Sequence, residues 1–243
     1  WRAERLGDAM TLMESPFTGP SLAGWLATGD PAEAARLLEQ FRSLKEHYGY
    51  DDILLVDAQG HVRLSSSGAL RPLQPEGTKA VAQALAEKRP VLTDLHLAAD
   101  GRTPHLGAVA PLYAAGERGG TPLGAVILQM RADRFLYPLI QAWPVPSQTA
   151  ETLLVRREGE NALFLNDLRH RPGWALALRI PLSHTEMPAV QAALGKEGFF
   201  EGRDDRNVRV LSFIKAVPNS PWYVIAKIDA HEALAEWRFR IGM

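Results

Sequence analysis

Two stretches decide the reading: Asp52-Ile-Leu-Leu-Val-Asp-Ala-Gln-Gly60 and Glu151-Thr-Leu-Leu-Val-Arg-Arg-Glu-Gly159. They align without a gap. Each is an acid, an apolar run of strand length and a turn closed by glycine, which reads as the first half of a β-hairpin. His61 to Ser66 returns the first hairpin, and Ala162 to Leu165 returns the second. The correspondence continues downstream. Ala80-Val81 and Leu85 match Ala189-Val190 and Leu194, and Pro122 to Ile127 matches Pro221 to Ala226. A repeated supersecondary unit of this length is a statement about topology.

Outward from the hairpins, each unit shows one short helix and three more strands. In the first unit the helix is Thr78 to Lys88. The strands are Val91 to Ala98, His105 to Ala114 and Pro122 to Met130, with Gly101 and the pair Gly119-Gly120 at the turns. Ala132 to Trp143 reads as helix, and Pro144-Val145-Pro146 breaks the chain. In the second unit the helix is Pro188 to Leu194, and the strands are Phe199 to Gly202, Val208 to Val217 and Trp222 to Ile228. A last helix starts at Asp229, where Glu232 three residues on suggests a capping box. Its apolar stripe runs Leu234, Trp237, Ile241, as packing on the second module, as an output helix, or both.

The first 50 residues read as helix. Arg2 to Met13 is amphipathic, Asp30 caps a helix with Pro31 in its first turn, and Gly49 stops it. The expected class is therefore α+β: two tandem modules, each an antiparallel sheet of about five strands, on a long N-terminal helix. The boundaries are residues 1–50 for the helical segment, 51–143 and 144–228 for the modules, and 229–243 for the exit helix.

Composition narrows the function. The 243 residues carry 27 basic and 28 acidic side chains, a net charge of −1, with the signs interleaved as in Arg156-Arg157-Glu158-Gly159-Glu160. That argues against nucleic acid as a partner. There is no cysteine, which excludes a disulfide framework, a thiolate metal site and a cysteine nucleophile. The absence suits an oxidising envelope compartment. No apolar run is long enough to span a bilayer, and both ends read as cuts in a longer protein. Catalytic signatures are missing: no nucleophile elbow, phosphate loop, zinc-protease helix or dinucleotide fingerprint. Ser65-Ser66-Ser67 has no base at a predictable spacing. No enzyme activity and no cofactor are expected of this chain.

With these residues in order, the sequence resembles the double Cache family, the PAS-like ectodomains of bacterial histidine kinases, chemoreceptors and diguanylate cyclases. The resemblance rests on the two hairpins, the N-terminal helical segment and Asn219-Ser-Pro-Trp-Tyr-Val-Ile-Ala-Lys-Ile-Asp229 leading into the exit helix. It implies a long helix spanning both modules, a membrane-distal first module holding a small polar ligand and a membrane-proximal second. It also implies flanking transmembrane helices and an output domain outside this chain, most often a kinase. Localisation would be the periplasmic face of the inner membrane. Relatives often form a homodimer along the N-terminal helix. One amino-acid-binding subfamily uses a Tyr, an Arg and a Trp-Tyr pair after the second strand. Here that region is Ser65-Ser-Ser-Gly-Ala-Leu-Arg71-Pro-Leu-Gln, where Arg71 can stand for the Arg and the aromatic pair is missing. The competing reading is a PAS-like scaffold for protein contact or dimerisation without a small ligand.

Candidate ligand residues follow from alternation along the strands. Asp94 and His96 share one face of Val91 to Ala98, either a solvent face or the wall of a pocket, and His105 opens the next strand. Asp, His and His can bind a metal, but their spacing is not a ligand signature, and no metal is expected. Arg63 and Ser65 share a face of the second strand, and Arg suits a carboxylate or phosphate through its planar fork. Tyr113 shares the face of His105; such a residue is more often a core aromatic with its hydroxyl satisfied than a ligand contact. Asp204-Asp205-Arg206-Asn207 reads as a hairpin turn rather than a calcium loop. Asn166-Asp167-Leu-Arg-His170 reads as a polar loop, with a second-module pocket as the alternative.

Overall fold

The structure, a computed structural model, describes residues 1–114, 120–144 and 146–241, with side chains to residue 235. Gly119, Val145 and the side chains of Trp237 and Ile241, named above, lie outside the described residues. The chain forms two compact units, Trp1–Ala132 and Asp133–Met243.

The first unit opens with three helices: α1 (Arg2–Met13), α2 (Thr18–Thr28) and α3 (Pro31–Tyr48). The expected helical segment is thus present but in pieces, for local reasons. Pro16 cannot continue α1, and the Ser15 hydroxyl accepts the Phe17 and Thr18 N–H groups at the start of α2. Gly29 ends α2 in the left-handed conformation. The Asp30 side chain then accepts the Ala32 N–H at 2.9 Å and starts α3, which Gly49 ends at φ 70°.

Next come β1 (Asp52–Asp57), β2 (Val62–Ser65), α4 (Pro75–Glu87), β3 (Val91–Leu92), β4 (His96–Leu97), β5 (Pro104–Leu112) and β6 (Gly124–Arg131). They build an antiparallel sheet ordered β2-β1-β6-β5-β3, with β4 also on β5. The expected strand from Val91 to Ala98 is broken in the middle. Asp94 turns its carboxylate onto the Leu95 N–H at 2.8 Å, competing with the ladder, while Thr93 holds Gly107 from both sides. The core beneath α4 gathers Leu54, Val56, Ala80, Val81, Ala84, Val109, Ala125 and Ile127. The other face receives the N-terminal helices, since α1 packs on β5 and α3 on β1.

The second unit contains α5 (Leu136–Gln141), β7 (Glu151–Glu158), β8 (Asn161–Phe164), β9 (Arg179–Pro181), α6 (Pro188–Ala193), β10 (Gly198–Arg203), β11 (Arg209–Ala216), β12 (Trp222–Asp229) and α7 (Ala230–Ile241). The sheet runs β10-β11-β12-β7-β8-β9. Its core repeats the first: Leu153, Val155, Phe164, Ile214 and Ile225 under Ala189 and Ala192 of α6. Both sheets have six strands. The extra one here is β9, three residues with burial too slight to give a periodic signal. The helix expected over residues 132–143 shrinks to α5, tied down by the Tyr137 hydroxyl on the Leu165 carbonyl.

Glu232 does not close a capping box. Its carboxylate reaches instead to the loop before β7, accepting from Ser147 Oγ at 2.8 Å, Gln148 N–H at 3.0 Å, Thr149 N–H at 2.9 Å and the Thr149 hydroxyl. These bonds hold its carboxyl down to about 2. The N–H of Asp229 is satisfied by Thr149 Oγ1 instead.

Candidate functional site

The first module holds a cavity of about 290 Å³ at the end of the sheet where β1 starts and β6 finishes. Its walls come from Asp51 and Asp52, from the segment Ser67 to Gln74 that follows β2, from His96 on β4, His105 on β5 and Gln129 on β6. A narrow extension of about 30 Å³ runs under α4 past Gly77, Thr93 and Gly107.

Strand register explains why these side chains meet. Asp52 stands opposite Gln129, two residues beyond the core pair Leu54 and Ile127, so both point to the α4 face. His96 stands opposite His105, so the imidazoles are cross-strand neighbours.

Asp52 is 8% exposed and carries the densest hydrogen bonding in the module. Its Oδ2 accepts the hydroxyls of Ser65 and Ser67, each at 2.7 Å. Its Oδ1 accepts the Ser66 hydroxyl at 2.6 Å and the N–H groups of Ile53 and Ser67 at 2.8 and 3.0 Å. Burial alone would push this carboxyl up, but the serine donors outweigh it and hold it below the usual range. The triplet, donating to one carboxylate at the start of β1, clamps the β1–β2 hairpin.

The two histidines differ. His96 Nδ1 lies 2.9 Å from the Asp94 carbonyl, which can only accept, so Nδ1 carries the proton and Nε2 is left as the acceptor of the neutral ring. His105 Nε2 lies 3.4 Å from Asp51 Oδ2. Burial pushes the His105 imidazole below its ordinary pKa. Asp51 opposes that shift, while His96 and Arg131 add to it. Among the described residues no group of three or more acids and histidines is arranged to hold a metal ion.

The structure brings Arg71, His96 and His105 together at the cavity, with Ser65 behind them as a support for Asp52. The other three lie elsewhere. Arg63 reaches Asp57 at 3.4 Å and covers the Trp25 ring at 6.0 Å, on the hairpin side of β2. Asp94 is turned away by the strand break and faces the positive charge of Arg2. Tyr113, 2% exposed, is a core aromatic just beyond β5. Asp51, Asp52, Ser67, Gln74 and Gln129 also line the cavity and were not among the residues expected from the sequence. Gln129 had a signal: it is the one polar residue in the run Gly124 to Met130.

In the second module, Asn166 is buried and holds Leu154 N–H, with Asp167 binding the N–H groups of Trp174 and Ala175. That is the stitched polar loop. Asp204 likewise organises the β10–β11 turn, accepting the Arg206 and Val208 N–H groups. A larger groove of about 620 Å³ lies along Pro146 to Thr149, Asp229, His231, Glu232 and Ala235. Its Glu232 carboxylate is already filled by the loop, which makes it a poorer recognition site than the first-module cavity.

No protein-family model matches the chain. No curated protein matches it either. Solved structures do. The ligand-binding domain of the Pseudomonas fluorescens chemoreceptor CtaA, in complex with L-isoleucine, is 19% identical, with a TM-score of 0.61 over 95% of this chain and 87% of that one. The ligand-binding domain of the Pseudomonas aeruginosa PAO1 amino acid chemoreceptor PctB, in complex with L-Arg, is 15% identical, with a TM-score of 0.60 over 94% and 88%. The extracellular domain of a protein designated histidine kinase vpHK1S-Z8 is 14% identical, with a TM-score of 0.64 over 95% and 88%. At these identities the likeness is one of fold. The chain has a tandem PAS-like fold, shared with these ligand-binding and extracellular domains.

Proposed function

We propose that this chain is the extracytoplasmic sensing domain of a bacterial transmembrane receptor, most simply a histidine kinase, and that its first module binds a small polar molecule. The observation that carries the reading is the first-module cavity, where Arg71, His96, His105, Gln129 and two carboxylates converge on a space the size of a small metabolite. Arg71 offers a planar fork to a carboxylate, and Asp51 and Asp52 offer acceptors to an ammonium or hydroxyl. The amino acids bound by similarly folded domains support this chemistry. The carboxylate–hydroxyl cluster at the cavity, Asp52 with Ser65, Ser66 and Ser67, serves in this reading as a structural clamp. The domain sits in the periplasm, anchored by transmembrane segments elsewhere in the protein. Among the described residues, no helix is long and apolar enough to cross a membrane.

Signalling follows as a population shift. The ligand biases two states by its differential affinity, and α7 carries the displacement outward. A thermal-shift panel of small carboxylates, amino acids and amines tests the reading. The wild type should respond to at least one compound, and Arg71→Ala should lose that response. A ligand at a hundredfold its dissociation constant adds about 2.7 kcal/mol. The scaffold alternative draws on Phe199 and Phe213, exposed side by side across β10 and β11. Flat curves throughout would favour it.

A further inference from the structure

The repeat places two acid–partner pairs at equivalent sites. Asp52 opens β1 and stands opposite Gln129 of β6. Glu151 opens β7 and stands opposite Lys227 of β12. Each acid lies two residues before the first core leucine of its strand, Leu54 or Leu153. Each partner lies two residues after the core isoleucine of its strand, Ile127 or Ile225. Both pairs therefore face the helix that covers the sheet, α4 in one module and α6 in the other.

The two positions differ in what fills them. In the first module Asp52 and Gln129 line an open cavity. In the second, the Lys227 side chain is 2% exposed, and its Nζ sits 3.0 Å from Glu151 Oε2 and 2.9 Å from Asp204 Oδ2. Both carboxylates are themselves held in place. Glu151 also accepts the Arg169 N–H, and Asp204 accepts Arg206 Nε at 2.8 Å. Arg206 passes on to Asp229, the last residue before α7. A buried ammonium is retained where opposite charge compensates it, and here two carboxylates do so.

We propose that Lys227 is the built-in occupant of the second module's ligand position, its stem and ammonium filling the place that the first module leaves open. Two carboxylates, Glu151 and Asp204, form an ammonium receptor that the chain fills for itself, next to the root of α7. The second module is thereby fixed in its occupied state and offers no vacancy to a small molecule at this position. Lys227's role stands whatever the first-module cavity binds.

Removing the side chain should expose the receptor. Lys227→Ala deletes three carbons and the nitrogen, which is propylammonium. The full chain carrying Lys227→Ala should melt several degrees below wild type. Propylammonium should restore most of the loss, tetramethylammonium at equal ionic strength should not, and the wild type should respond to neither. A folded variant indifferent to propylammonium would overturn the proposal. Should Lys227→Ala fail to fold even with the amine, Gln129→Lys decides. A lysine there should reach Asp52 as Lys227 reaches Glu151, raising the melting temperature at neutral pH and losing the gain once Asp52 is protonated. A melting temperature below wild type at neutral pH would show that the two positions are not equivalent.

Discussion

Replacing Asp52 with Asn is the most informative single change in the first module. The side chain keeps its shape, and Oδ1 keeps the Ile53 and Ser67 N–H groups and the Ser66 hydroxyl. The Oδ2 position becomes an NH₂ facing the hydroxyls of Ser65 and Ser67, which must turn to accept. Bonds to a charged acceptor contribute about 1.5–3 kcal/mol each, against about 0.5–1.5 for neutral ones. Two bonds at Oδ2 lose that difference and those at Oδ1 lose part of it, so we expect a loss of about 2–3 kcal/mol. Asp52→Ala removes the shared acceptor of five donors, and although the Ile53 and Ser67 N–H groups keep Ser66 Oγ and Ser65 Oγ as second acceptors, it should cost about 3–5 kcal/mol. Urea unfolding measures both, with an unchanged slope as the sign that the native fold is kept. The pH dependence adds a sign. The folded carboxyl is held below its unfolded value, so its contribution is present above an unfolded pKa of about 3.9 and lost as pH falls through the folded one. Asp57 and Asp204 behave alike, so the acid-limb difference between wild type and Asp52→Asn isolates Asp52. An Asn variant within about 0.5 kcal/mol of wild type, or with the same acid limb, would refute the clamp.

Three further outcomes are expected. Gly124→Ala should cost well over about 2 kcal/mol in urea unfolding, because a Cβ there would sit 2.1 Å from the Val56 carbonyl oxygen and force β1 and β6 apart. Asp30→Ala should cost about 1 kcal/mol in the same assay by removing the α3 cap, while Asp30→Asn should cost little. Glu232→Gln should speed amide exchange at Gln148 and Thr149. Because the folded carboxyl sits near 2, wild type should keep its protection down to about pH 4 and lose it below.

Much of the fold was legible because the repeat spelled it twice. The hairpin at Asp52 to Ser65 and its partner at Glu151 to Phe164 carry apolar runs closed by Gly60 and Gly159, both at positive φ. Features set by one side chain acting on a neighbouring backbone were not legible. Asp94 breaks its strand by binding Leu95, and Ser15 with Pro16 splits the N-terminal segment. Glu232 has the spacing of a capping box but spends its carboxylate 83 to 85 residues away in sequence. The site was half legible. Alternation found His96 and His105, which the sheet does bring opposite each other. It grouped Asp94 with them, whereas the break in the strand turns Asp94 elsewhere, because alternation assumes an unbroken strand. Asp52 and Gln129 were invisible one at a time. Their meaning comes from cross-strand register, a non-local property.

The most direct test of the central claim is an amide NMR shift map of the labelled chain with whichever compound shifts its melting temperature. The account predicts perturbations concentrated at Asp51, Asp52, Ser67 to Gln74, His96, His105 and Gln129. Shifts concentrated instead in β7 to β12, or along the groove from Ser147 to Thr149 and His231 to Ala235, would contradict it.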